Sequence, residues 1–261
     1  MHSAFATTLL LLGAALLVGC GDKEAELAEA AKVAAAAATI ERYKPQGLAQ
    51  LERLRQVGGM MRDRAPLDAD ARSLPLAKAS FKYNPDSPPD GAFIDARMLT
   101  EEGLRKGSFS EGFTVNELAF WGECGAYLTT GKGSQGTTPG YTPYDDATAI
   151  EKAMQGFLKV KYVGVARTVE SRYPEVTGEN EFKGGHYRFD MFFFELADPP
   201  QYLGGLRVDA RNKSEFEIQY RQGLLSETTR YALESDLKFQ TRAALYKLMT
   251  ERAKGVILDA P

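Results

Sequence analysis

The sequence predicts an α+β fold: an antiparallel four-stranded meander flanked by helices and preceded by an N-terminal helical spacer. Three observations carry this expectation. Runs rich in β-branched and aromatic residues follow one another between positions 159 and 220, separated by short turn-forming stretches, and short connections favour pairing of consecutive strands. Apolar residues recur at helical spacing on either side of those runs. Before them all, an alanine-rich stretch has high helix propensity and little apolar bulk to pack.

The helical spacer starts at 24 and its first part extends to 43, with five consecutive alanines from Ala34 to Ala38. Pro45 is expected to interrupt it, because proline lacks the amide hydrogen and clashes with the preceding turn. Leu48, Leu51, Leu54, Val57 and Met61 then share one face of a second helix, weakened near its end by Gly58-Gly59. Residues 65–112 form an irregular connection punctuated by Pro66, Pro75, Pro85, Pro88 and Pro89, with a short helix near 95–106.

A further helix is expected from Thr142, with Pro143 at its first position and Ile150, Met154, Phe157 and Leu158 on one face. Asp145 and Asp146 suit its N-terminus, where carboxylates complement the helix dipole. Strands follow at 159–167, 186–196, 202–210 and 214–220; Pro199-Pro200 closes one hairpin, and Gly178-Glu179-Asn180 makes another turn. The run from Phe189 to Phe194 is apolar on both faces toward its end, as in a central strand covered on both sides. A helix over 226–254 presents Leu233, Leu237, Ala244, Leu245 and Leu248 as a stripe, and Gly255 stops it. The expected organisation is therefore a signal segment (1–19), anchor and spacer (20–64), connection (65–112) and α+β domain (113–261).

Before all of this, the chain runs Leu17-Val18-Gly19-Cys20 directly after an apolar stretch over 4–18, and turns polar at Gly21-Asp22-Lys23-Glu24. That stretch is shorter than the roughly 20 apolar residues a spanning helix needs. The arrangement resembles the lipobox and signal peptide of bacterial lipoproteins. The resemblance covers only these first residues, and the n-region Met1-His2-Ser3 departs from the pattern in having no Lys or Arg. It implies cleavage before Cys20 and acylation there, palmitate-type chains holding the mature protein to the membrane. Gly21 rather than Asp follows the cysteine, so the resemblance implies an outer-membrane lipoprotein facing the periplasm rather than the inner membrane.

With 32 basic and 35 acidic side chains, net −3, the chain lacks the basic footprint of a nucleic-acid binder. Cys20 and Cys124 are its two cysteines; acylation of Cys20 leaves Cys124 a lone thiol, expected to be buried. His186 is the one histidine after the signal segment, which excludes a multi-histidine metal site, and no EF-hand loop offers calcium ligands. Neither metal nor other cofactor is expected.

Cys124 and His186 formally supply a thiol and an imidazole for a hydrolase or transferase. His186, Arg188 and Asp190 alternate along a strand and form a candidate polar surface site. The run from Ala126 to Gly133 misses the phosphate-loop pattern at its first glycine and after Lys132, and suits a surface loop. These features favour a noncatalytic, membrane-anchored envelope protein that binds an envelope-protein or cell-wall partner. A carrier holding a small ligand or lipid between sheet and helices is the alternative, as is an enzyme using His186 or Cys124.

Overall fold

A computed structural model describes residues 22–82, 89–100, 128, 147–178, 181–213 and 225–258. Among these residues three long helices flank a sheet: α1 (Asp22–Arg62), α2 (Ala147–Lys159) and α3 (Leu225–Arg252). The strands are β1 (Gly91–Asp95), β2 (Tyr162–Arg172), β3 (Glu175–Val176), β4 (Phe182–Lys183), β5 (His186–Glu195) and β6 (Gln201–Arg211). The α+β class holds.

The expected meander needs correction. The main sheet has the order β1-β2-β5-β6, in which β2, β5 and β6 pair antiparallel but β1 runs parallel to β2, so the sheet is mixed. Its fourth strand comes from within the stretch expected to be an irregular connection. The segment expected as the fourth strand, 214–220, lies outside the described residues. The run Gly91-Ala92-Phe93-Ile94-Asp95 is short and follows turn-forming residues, which hides it from periodicity. Every residue of it is nevertheless buried, and a parallel partner for β2 requires the long crossover that α2 supplies.

A second correction concerns Pro45, which does not divide α1: the helix is continuous for 41 residues. The carbonyl that loses its partner belongs to Glu41, and Glu41 and Pro45 are both exposed, so the defect lies on the solvent side of the helix. Packing on both sides holds the helix through the defect, with Thr39 and Ile40 buried before it and Gln50 and Leu51 after it.

The sheet lies between two apolar layers. Ile94, Val163, Val165, Phe192 and Phe194 face α1 and α2, meeting Leu51, Leu54, Val57, Ile150, Met154 and Phe157. Phe93, Phe189, Met191, Phe193, Leu206 and Val208 face α3, meeting Leu237, Leu245 and Met249, with Leu74, Leu76 and Phe81 of the Pro-rich stretch closing that layer. The expectation of a central strand covered on both sides is met by β5. Gly255, at φ 84°, supplies the left-handed residue that ends the C-terminal helical region.

The two helices on the first face are tied by polar contacts as well. Gln50 of α1 donates from Nε2 to the Val160 carbonyl at 2.7 Å, satisfying an acceptor at the end of α2. Tyr43 donates to Glu151 at 3.0 Å and Arg42 pairs with the same carboxylate at 2.9 Å, which holds the Glu151 carboxyl below its usual range.

Candidate functional site

On the face of the sheet that carries Phe192 and Phe194, β5 continues with Asp190, Arg188 and His186. Registers across β2, β5 and β6 set three rows of charge: Arg167, Asp190, Arg207; Glu170, Arg188, Asp209; and Arg172, His186, Arg211. Signs alternate along the first two rows and between them, and the third sets the His186 imidazole between two arginines. A bulge between Thr168 and Glu170 makes this possible, because the extra residue Val169 brings Glu170 opposite Arg188.

Asp190 is wholly buried. Its carboxylate accepts from the Leu67 amide at 2.9 Å and from Arg207 Nε and Nη2 at 2.8 and 3.2 Å, and this hydrogen bonding drives the Arg207 guanidinium still higher in pKa than usual. His186 is also buried, with Nδ1 3.2 Å from Glu170 Oε1 and Nε2 3.0 Å from Asp209 Oδ1. Arg188 pairs with Glu170 at 2.9 Å.

The expected open surface site at these three residues is therefore corrected. His186 and Asp190 are buried, Arg188 is half-buried, and each is committed to neighbouring charges. Both imidazole nitrogens face carboxylates, Glu170 of β2 and Asp209 of β6, so the ring links three strands. Cys124 and Cys20 lie outside the described residues, as do Asp145 and Asp146, and all of the run from Ala126 to Gly133 except Leu128, which is buried. Among the described residues no group of three His, Cys, Asp or Glu side chains is placed to hold a metal ion.

A second constellation, missed in the sequence, forms where α1 ends. Arg55 and Arg62 are two helical turns apart and share a face of α1, about 10 Å apart along the axis. A 3₁₀ turn, Ala96–Leu99, leans on that face at Gly58. Asp95 caps it, accepting from the Arg97 amide at 2.8 Å and from Arg97 Nε and Nη2 at 2.9 and 2.8 Å. Arg167 of β2 reaches the end of α1, donating to the carbonyls of Arg64 and Ala65 at 2.7 and 2.9 Å, while lying 4.8 Å above the Phe192 ring.

Between these parts runs a cleft of about 590 Å³ lined by Arg55, Gly58, Gly59, Arg62, Arg97 and Arg167, with Met61 and Leu99 as apolar floor. It adjoins a second of about 330 Å³, which shares Ala96, Arg97 and Arg167 and continues past Thr168, Ser171, Tyr173 and Tyr187. A third, of about 530 Å³, lies beyond the end of α1 beside Asp63, Arg64, Leu67 and Asp68. His186 lines none of these three clefts. Burial pushes the Tyr187 phenol above the usual tyrosine range, partly offset by its hydrogen bond to Thr168 at 2.9 Å. The arginines of the groove come from three separate segments, so only the fold brings them together; their one sequence trace is the spacing of Arg55 and Arg62.

The chain matches no protein-family model, no curated protein and no solved structure.

Proposed function

We propose that this chain is an envelope lipoprotein, anchored through acyl chains on Cys20 and facing the periplasm from the outer membrane, whose α+β body binds a partner without catalysing a reaction. The observation that carries the reading is the start of α1. Directly after the lipobox-like residues, positions 24–35 are all exposed, and at 1.5 Å per residue they extend about 18 Å before the helix meets the body at Ala36. A helix with no apolar stripe over this length suits a spacer between membrane and domain. Two or three acyl chains make such an anchor stable where a single chain is marginal.

The pairing of His186 with two carboxylates supports a structural role for it over a catalytic one. The lipid-carrier alternative calls for a large apolar cavity, whereas the arginine-lined groove suits a polar partner. Mass measurement of the mature amino terminus tests the anchor: a diacylated or triacylated Cys20 is expected, and an unmodified one refutes it. Recovery of a specific envelope partner with the lipidated chain, but not with Cys20→Ala, is the expected result of a pull-down. Failure of both forms to recover any partner counts against the binding role.

A further inference from the structure

We infer that the groove at the end of α1 binds an acidic glycan, with carboxylate or phosphate groups of the ligand held by Arg55 and Arg62 and its sugar rings laid along Thr168, Ser171 and Tyr173. This assignment rests on the partner-binding reading above and names the chemistry of the partner.

Charge supports it first. Over Asp22–Arg62 the helix changes character: positions 22–41 carry five acidic and two basic residues, positions 42–62 one acidic and five basic. Of these five basic residues, Arg55 and Arg62 line the groove, while Arg42 and Lys44 pair with Glu151 and Glu41 nearer the start of the helix. Arg55 has one exposed carboxylate nearby, Glu52 at 3.4 Å, and Asp95 is already spanned by both edges of Arg97. Arg97 is thereby neutralised, and Arg167, 3.8 Å from Asp190, shares that carboxylate with Arg207, so the positive charge offered to a ligand comes mainly from Arg55 and Arg62. Arg55 and Arg62, both exposed, supply the planar forks that match carboxylate and phosphate oxygens. Such a site sits in a chain of net charge −3, so attraction of an anion is local rather than a property of the whole surface.

Shape and lining support the glycan over other acidic ligands. The two adjoining clefts make a path longer than a single small anion requires. At its far end the groups change from guanidinium to hydroxyl, with Thr168, Ser171 and Tyr173 lining it. Tyr173 is 55% exposed, and its ring offers a flat apolar face with a polar tip, suited to the C–H face of a sugar. Gly59, on the rim of the groove, has no side chain to obstruct a ring, and a Cβ there would meet nothing within 4 Å.

That open space at Gly59 provides the test. The full chain, purified in detergent, is titrated calorimetrically with hexagalacturonate, pentamannosyl phosphate, maltohexaose and hexaglutamate, the first two separating carboxylate from phosphate as the recognised anion. One or both acidic glycans are expected to bind, at least about tenfold more tightly than maltohexaose or hexaglutamate, and to weaken markedly between about 0.1 M and 1 M salt as the screening length falls from about 10 to 3 Å. Gly59→Glu and Arg62→Glu should each weaken that binding at least about tenfold by placing negative charge in the groove, while Gly59→Ala leaves it intact. Tyr173→Ala should weaken the acidic glycans.

Equal affinity for hexaglutamate assigns the groove to acidic peptides and overturns the inference. So does binding that survives both charge-reversing variants, or absence of binding to either acidic glycan. Circular dichroism on each variant separates lost binding from lost folding, and the exposed Arg62 serves if Gly59→Glu does not fold. The mass of Cys20 in the same preparation separates the two readings. Acylation without glycan binding removes the groove's assignment alone, and glycan binding without acylation removes the anchor alone.

Discussion

Two adjacent glycines near the end of α1 should respond differently to the same substitution. In a helix interior, Gly→Ala is favourable by about 1 kcal/mol because the backbone loses less freedom on folding. At Gly59 nothing opposes this, since an added Cβ would meet no atom within 4 Å. Gly59→Ala should therefore stabilise the protein by about 1 kcal/mol. At Gly58 the Cβ would lie 2.7 Å from the Leu99 carbonyl oxygen and 3.2 Å from Leu99 Cβ. The obstructing atom is backbone, in a turn fixed by the Asp95 cap and by the burial of Met98 and Leu99, so it cannot swing aside as the tip of a side chain would. Overpacking of this kind costs about 1–3 kcal/mol, which cancels or outweighs the propensity gain. The propensity gain is common to both, so the two variants should differ by about 1–3 kcal/mol, with Gly58→Ala the less stable. Urea unfolding followed by far-UV circular dichroism measures this directly. For a chain of this size the gap corresponds to melting temperatures separated by about 2–12 °C. Equal stability of the two variants would refute the docking of the 3₁₀ turn on α1, and with it the wall of the groove.

Asp190→Asn leaves Arg207 facing a neutral amide and should destabilise by about 2–4 kcal/mol, discounted from a fully buried pair because Arg207 is partly exposed; a loss below about 1 kcal/mol in urea unfolding would contradict the buried network. Gln50→Leu strands the Val160 carbonyl beneath α1 and should cost about 1–3 kcal/mol, whereas Gln50→Glu, which keeps the size but loses the donor, should be no better. Alkaline pH should expose the burial of Tyr187. Its folded pKa lies above the ordinary value near 10, so the unfolded chain ionises first. The stability this group contributes is complete below that value and declines as pH rises toward and through the folded pKa. Tyr187→Phe should flatten that alkaline decline, measured by unfolding at a series of pH values, and an unchanged slope would show that the phenol is not held neutral by the fold.

Legibility in the sequence followed the range of the interactions involved. The stripe of α3 and the three antiparallel strands β2, β5 and β6 were readable because local periodicity alone determines which side chains face the core. The double-faced burial of β5 was readable too, since Phe192-Phe193-Phe194 leaves no polar side for solvent. The strand β1 was not. Its five residues are too few for a pattern, and its stability comes from a partner some seventy positions later in the chain, Gly91 opposite Tyr162 and Asp95 opposite Ala166. Pro45 misled for a related reason: the local penalty is real, but contacts of Ile40, Gln50 and Leu51 with the body hold one helix across it.

The alternation of His186, Arg188 and Asp190 shows how the same local pattern admits two outcomes. Along β5 a polar residue at every second position is what a solvated strand face looks like, and the sequence offers no further distinction. What decides it is the cross-strand register, which puts arginines on both sides of Asp190 and carboxylates on both sides of Arg188. Each buried charge is then compensated by neighbours from two other strands, so the sheet continues past the edge of its helical cover without an apolar face. The same register carries Arg167 to the end of α1, where its hydrogen bonds to the Arg64 and Ala65 carbonyls fix the helix against the sheet. A row of charge within the sheet and the wall of the groove are thus one arrangement. Replacing Arg167 would disturb both, whereas changes at Arg62 or Gly59 reach the groove alone.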